Sequence, residues 1–405
     1  MLEKDKRDEC RVLSEKELID LERKISRMYS AVGEELQKTI DEYFMKFEAK
    51  ETAMREQLEA GKITQEKFLQ WRLAHIGRGK RFEELREKVA HRVTKANEVA
   101  TAYINDKTPT IYTLNRNYQN FRIAKAKQLD YSMWTIFNEA TVRRLIMEEP
   151  DLMPYYPKRA ALNRGIDLDY GRKKITNITT SAIIRGKSVR QIADELRKRL
   201  VKMELSAAIR TARTALTAAE NGGRQDALIR AADMGIKCRK RWDAVKDLRT
   251  RDAHGKADGQ TVDADKPYTV GGEKLMYPGD HSLGASGWNL YNCRCLSADD
   301  LDNEFRAAPR MIRARDLDGK NIIIEDMKYP EYVEMLKKQD PERFEFTYKA
   351  EKNKYGDKKQ FEEYKALLGR RAPRSLMAFQ VTKYRKPEEW AELKALAKQK
   401  RKENK

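Results

Sequence analysis

From Met1 to Lys107 the chain has no proline, and apolar side chains recur at Leu18, Leu21, Ile25, Met28, Val32, Leu36, Ile40, Tyr43 and Phe47. Steps of three and four keep one helical face apolar, which predicts a long amphipathic helix. Ser14 to Glu17 has the form of a capping box at its start. At 1.5 Å per residue such a helix reaches ~50 Å, and a rod of that length needs partners to cover its stripe. Gly61-Lys62 reads as the turn of a helical hairpin, with Phe68, Trp71, Leu73 and Ile76 on the returning helix. Pro109, then Pro150, Pro154 and Pro157, are expected to interrupt the pattern and mark a domain edge. Ser188 to Gln191 is a second capping box, opening a helix through Leu200. A further helix from Leu205 is expected to end at Asn221-Gly222-Gly223, and another at Gly235, where glycine suits a C-cap.

Beyond Gly235 the period changes. Ile236, Cys238, Lys240 and Trp242 alternate with Lys237, Arg239 and Arg241, a strand with one buried face. Asp258-Gly259, Gly271-Gly272 and Pro278-Gly279 read as turns. Towards the end, Phe361, Tyr364, Leu367 and Leu368 share a helical face closed by Gly369, and Leu376, Phe379, Trp390, Leu393 and Leu396 complete a small bundle. Pro373 and Pro387 stand where a first helical residue tolerates proline. The pattern as a whole predicts an α+β chain in four parts. Residues 1–150 form a helical, coiled-coil-like arm and 151–235 a basic helical neck. Residues 236–301 form a small α+β core, and 302–405 a basic helical tail.

Composition narrows the classes. With 405 residues, 37% charged and a net charge of +20, the chain is long enough for several folded units, and its excess of cations suits a polyanion or an acidic surface. No run of about 18 apolar residues and no apolar leader is present, so neither secretion nor a membrane partner is expected. Four cysteines are too few for a disulfide framework at this length, and a reducing compartment fits them. The positive charge is concentrated. Residues 185–251 hold 18 basic against 8 acidic residues, and 365–405 hold 13 against 4. In the tail, Arg370, Arg371, Arg374, Lys383, Arg385 and Lys386 are the candidates for contact with nucleic acid or a partner.

Unusual residues gather between Trp242 and Cys295. Cys293 and Cys295, two apart on an extended segment, project both thiols to one face, and with His254 and His281 or Asp280 they could form a tetrahedral Zn²⁺ set. The same residues read equally as small buried thiols and hydrogen-bonded loop histidines, because the spacing is not that of a zinc finger. A metal-dependent nuclease with His254 as general base is the enzymatic alternative. No phosphate loop, nucleophile elbow or helical His-Glu-x-x-His motif occurs.

The order of these residues resembles a family. Arg213 and Thr214 on one helix, Asn221 to Arg224, Trp242, then Asp247, Arg249, Thr250 and His254, Gly259, Asp280, and finally Asn292, Cys293, Arg294 and Cys295 are similar to the motifs of Mu protein F-like minor head proteins of tailed phages. The resemblance implies that these residues are structural and that the chain is a non-enzymatic minor capsid protein without a resident cofactor. It implies association with the portal vertex during head assembly or genome delivery. The implied partners are a portal protein, a major capsid or scaffolding protein, and double-stranded DNA bound without sequence preference. The implied location is the virion, and the host cytoplasm during assembly.

Overall fold

The computed structural model describes residues 8–130, 132, 134–142, 165–301 and 310–403. They fall into two units: Asp8–Lys240 with Val262–Leu301, and Arg241–Thr261 with the described residues beyond 302. Pro150, Pro154 and Pro157, and with them the expected linker, lie outside the described residues.

The larger unit is a bundle of α1 (Glu9–Met45), α2 (Glu48–Glu59), α3 (Gln65–His75), α4 (Lys80–Ala126), α5 (Leu168–Ile184), α6 (Val189–Arg197) and α7 (Met203–Asp233). Ile25, Leu36 and Ile40 of α1 share one core with Val89 and Ile104 of α4, Ile178 of α5, Leu196 of α6 and Ala208 and Ala212 of α7. Segments expected to form a separate arm and neck therefore bury their apolar stripes against each other.

Three helix boundaries differ from the sequence expectation. The first helix starts at Glu9, with the Asp8 carboxylate accepting the Arg11 N–H at 2.7 Å. Ser14 is instead buried inside α1 and accepts from Asn115 Nδ2 at 2.9 Å. Pro109 lies within α4 and does not end it. It is buried, and one residue earlier the Thr108 hydroxyl bonds back to Ile104 O at 2.8 Å, so packing outweighs the lost ladder bond. Asn221, Gly222 and Gly223 sit mid-way along the continuous α7. A Cβ on Gly223 would lie 2.3 Å from Tyr112 O, so the glycine permits close approach of α4 and α7 and caps nothing. The box at Ser188 and Gln191 is formed as expected, and a π-helical segment, Lys198–Lys202, carries α6 into α7.

Gly235 turns the chain with φ of 80° into β1 (Arg239–Asp243), whose inward residues are Lys240 and Trp242. With β2 (Thr261–Asp263) and β5 (Leu296–Asp299) it forms a sheet in the order β2-β1-β5. A hairpin of β3 (Tyr268–Val270) and β4 (Glu273–Leu275) pairs Val270 with Glu273 across Gly271-Gly272, both at positive φ. That is the two-residue turn whose twist suits antiparallel strands. Two short helices, α8 (Asp252–Ala257) and α9 (Gly287–Leu290), lie in the intervening loops.

In the smaller unit, the stretch expected to be wholly helical opens with a hairpin, β6 (Met311–Arg315) and β7 (Asn321–Glu325). Alternation through Ile322 and Ile324 supports a strand, and Asp318-Gly319 supplies the turn. Then follow α10 (Tyr329–Gln339), α11 (Pro341–Lys352), α12 (Lys354–Leu368), α13 (Leu376–Arg385) and α14 (Pro387–Glu403). Pro387 opens α14 as expected, whereas Pro373 precedes the Ser375 N-cap of α13. One core gathers Leu248, Ala314, Tyr329, Tyr332, Leu336 and Phe344. A second is the expected mini-bundle around Phe361, Tyr364, Phe379 and Leu393.

Candidate functional site

Within the larger unit, one face of α7 holds the segment that carries the paired thiols. Thr214, Thr217 and Asn221 are spaced by three and four and so project together. The Asn292 N–H donates to Thr214 Oγ1 at 2.8 Å, and Thr217 Oγ1 donates to Cys293 O at 2.9 Å. Asn221 Nδ2 donates to Cys295 O at 3.1 Å, and the Ser297 N–H donates to Asn221 Oδ1 at 2.7 Å. The carboxamide thus acts as a short piece of β-ladder built into a helix, satisfying one buried acceptor and one buried donor. Asn292 takes φ of 56°, a left-handed conformation that asparagine tolerates better than most residues. Cys293 and Cys295 are both buried, and the Cys295 N–H donates to Cys293 Sγ at 3.4 Å.

Charged residues lock the same helix to the start of the chain. Arg224, 1% exposed, donates to both Asp8 oxygens at 3.0 and 3.1 Å and through Nε to Asn115 Oδ1 at 3.0 Å. Burial alone would raise the Asp8 carboxyl, but the Arg224 guanidinium more than offsets this and holds it well below the usual carboxylate range. Arg11 pairs with Glu220 and donates to Arg294 O at 2.9 Å. Arg213 forks onto Glu22 at 2.6 and 3.1 Å. On the neighbouring strand, Asp299 takes both donors of Arg122 at 2.7 and 2.8 Å. Arg213 and Arg224 thus face carboxylates of their own chain.

In the smaller unit the remaining motif residues build a compact turn. Trp242 is fully buried, its carbonyl accepts the Gly259 N–H at 2.8 Å, and Gly259 takes φ of 79°. His254, 1% exposed, meets the Trp242 ring edge to face at 5.6 Å. Asp247 accepts from Arg249 through its backbone N–H at 2.8 Å and through Nη2 at 2.6 Å, and Arg315 lies 3.3 Å away. Thr250 Oγ1 donates to Val245 O at 2.6 Å. Asp258 joins Lys246 at 2.9 Å and accepts the Tyr329 N–H at 2.6 Å.

The expected ligand residues have these places. Cys293, Cys295 and the half-buried His281 belong to the larger unit, and His254 to the smaller. Asp280, the alternative ligand, is buried and spends its oxygens on the N–H groups of Met276 and Ser282, at 2.8 and 2.9 Å. Of the tail candidates, Lys383 pairs with buried Asp357 at 2.8 Å, Lys386 with Glu389 at 2.7 Å, and Arg385 stacks over Phe346. Arg370, Arg371 and Arg374 are exposed.

One residue had no flag in the sequence beyond its place in the alternation. Lys240 is fully buried, and its Nζ donates to Gln225 Oε1 and to Met276 O, both at 2.8 Å. Burial brings its ammonium down to about 7, with Asp280 and Asp265 acting in the opposite direction.

A helix whose polar face holds an extended Asn-Cys-Arg-Cys segment, braced by buried ion pairs, defines a structural module of the α+β class. Residues 173–298 match the model of the family described as Phage Mu protein F like protein. The minor head protein GP7 of Bacillus phage SPP1 is 29% identical over 161 residues, covering 38% of this chain and 48% of that protein. The NAD(+)--arginine ADP-ribosyltransferase EFV of Enterococcus faecalis (strain ATCC 700802 / V583) is 28% identical over 130 residues, 32% of this chain and 26% of that protein. The chain thus spans about half the length of the first relative and about a quarter of the second. No solved structure matches the chain.

Proposed function

We propose that the chain is a structural minor head protein of a tailed phage, incorporated into the virion in the host cytoplasm and held at the portal vertex by the portal protein and by capsid or scaffolding subunits. The observation that carries this reading is the family match over residues 173–298, together with a relative named as a minor head protein. The geometry supports a structural role. Thr214, Thr217, Asn221, Arg213 and Arg224 are engaged in bonds within the chain, and Asp280 is committed to backbone N–H groups. The nuclease alternative gains nothing from either relative's name, and the matched quarter of the transferase carries no activity across by itself. Among the described residues, no helix is long and apolar enough to cross a membrane.

The test is quantitative mass spectrometry of purified procapsids and virions, with the major capsid protein as internal standard. The chain is expected in both at low copy number, and in a complex with the portal protein when the two are co-expressed. Absence from both particles would overturn the reading.

A further inference from the structure

From Tyr364 to Pro387 the chain has no acidic residue and seven basic ones. The structure sorts these seven. Lys383 and Lys386 are ion-paired, Arg385 lies over the Phe346 ring and Lys365 over the Phe361 ring. Arg370, Arg371 and Arg374 remain, all exposed on the turn that joins α12 to α13, and among the described residues no carboxylate pairs with any of them.

The turn is fixed without help from these arginines. Gly369 takes φ of 55°, a conformation that favours glycine, and a single 3₁₀ turn, Gly369–Arg371, follows. Ala372 is buried in the core with Phe361 and Phe379, and the Ser375 side chain caps α13 by accepting the Ala378 N–H at 3.1 Å. The guanidinium groups are therefore carried on a built turn and not on a loose end.

We propose that this arginine turn grips the phosphate backbone of double-stranded DNA without reading its sequence. Three unpaired cations within five residues put a dense positive field on one turn. The planar, doubly donating guanidinium matches phosphate oxygens better than a lysine ammonium does. Between Gly369 and Ser375 the side chains offered to solvent are these arginines, Pro373 being half-buried and Ala372 buried. Within Gly369–Ser375 no exposed apolar side chain offers the central anchor that a folded protein partner would need, the nearest being Met377 in the first turn of α13, whereas phosphate contacts need only cations and released counterions. The inference stands apart from the head-protein reading, because binding is measured on purified protein.

The experiment uses the full chain and a short, mixed-sequence DNA duplex with a fluorescent end label, titrated by anisotropy at several salt concentrations. The triple variant R370Q/R371Q/R374Q is compared with K16Q/K38Q/K50Q, which removes the same charge from exposed lysines of the larger unit. Loss of three phosphate contacts should weaken binding by at least about tenfold at low salt and reduce the slope of log K against log salt by about 2 to 3. The control should keep nearly the wild-type slope, and R370K/R371K/R374K should retain most of it. Circular dichroism melts establish that each variant is folded. Should the glutamine triple be misfolded, the single variants R370Q, R371Q and R374Q decide, each expected to lower the slope by about 1 where the single variant K38Q leaves it unchanged. Equal losses in the glutamine triple and the control would overturn the proposal, as would an unchanged slope, or competition by polyglutamate as strong as that by unlabelled duplex.

Discussion

At the scale of single residues, Asn221 carries the most structural work for its size. Its side chain satisfies Cys295 O and the Ser297 N–H at once, in a fully buried position where water cannot replace either bond. Removing one partner from a buried hydrogen bond exposes the full desolvation cost of the group left behind, about 1 to 3 kcal/mol each. Asn221→Ala is therefore expected to lose about 2 to 4 kcal/mol in urea unfolding. Asn221→Asp should also be damaging, because it keeps an acceptor for Ser297 but turns a second acceptor towards a carbonyl. A loss below about 1 kcal/mol in the alanine variant would mean that the thiol segment holds its place by apolar packing alone. Arg224 follows a different rule, since truncating one member of a buried pair leaves the Asp8 carboxylate uncompensated. Arg224→Met is expected to cost about 3 to 5 kcal/mol in the same measurement.

At the scale of elements, the close crossing of α4 and α7 depends on adjacent glycines that are not equivalent. A Cβ at Gly223 meets Tyr112 O at 2.3 Å and Arg116 N at 3.1 Å, both backbone atoms that cannot turn away. A Cβ at Gly222 would have its nearest neighbour, Tyr112 Cε2, at 3.4 Å, an ordinary contact. Gly223→Ala should thus force the helices apart and destabilise by about 1 to 3 kcal/mol or more. Gly222→Ala should be neutral or stabilising by up to about 1 kcal/mol, through the helix propensity it gains. Thermal melts of the two variants side by side check the pair, and equal effects would show that the crossing does not rest on Gly223. These glycines also mark where the sequence was legible and where it was not. Ser188 with Gln191, Gly235 and Gly271-Gly272 announced their elements, because each feature acts on its own few neighbours. Asn221-Gly222-Gly223 and Pro109 misled for the opposite reason. Their conformation is decided by a helix about 100 residues away in sequence, and a glycine that admits a neighbouring backbone is written the same way as one that caps. The motif residues of the site were legible in their order, but their partners Asp8 and Glu22 were not, since nothing local marks a carboxylate that will meet an arginine some 200 positions later.

At the scale of the whole molecule, the buried charges set how stability depends on pH. Burial would raise the carboxyls of Asp8 and Asp299, but Arg224 and Arg122 hold both below their ordinary range. A depressed carboxylate contributes stability above its unfolded value near 4, and that contribution is lost as pH falls through the folded value. Lys240 has the same sign at the other end of the scale. In the folded chain its ammonium is brought down to about 7, against an unfolded value near 10.4, so between these limits the unfolded chain binds more protons than the folded one. Stability should therefore rise with pH from about 7 towards 10, by up to about 1.4 kcal/mol per pH unit from this residue alone. It is stabilising to have the amine neutral, because Gln225 and Met276 O satisfy two of its donors while, among the described residues, no carboxylate lies within hydrogen-bonding reach of its charge. Lys240→Met keeps the apolar stem and removes the titrating group. Burial raises the Cys10 and Cys238 thiols, which subtract stability from wild type and variant alike above about pH 8.5. Urea unfolding at a series of pH values between about 7 and 10 should therefore show the wild type gaining free energy relative to the variant as pH rises. Parallel curves would mean that Lys240 titrates near its ordinary value and that its ammonium is stabilised inside the fold.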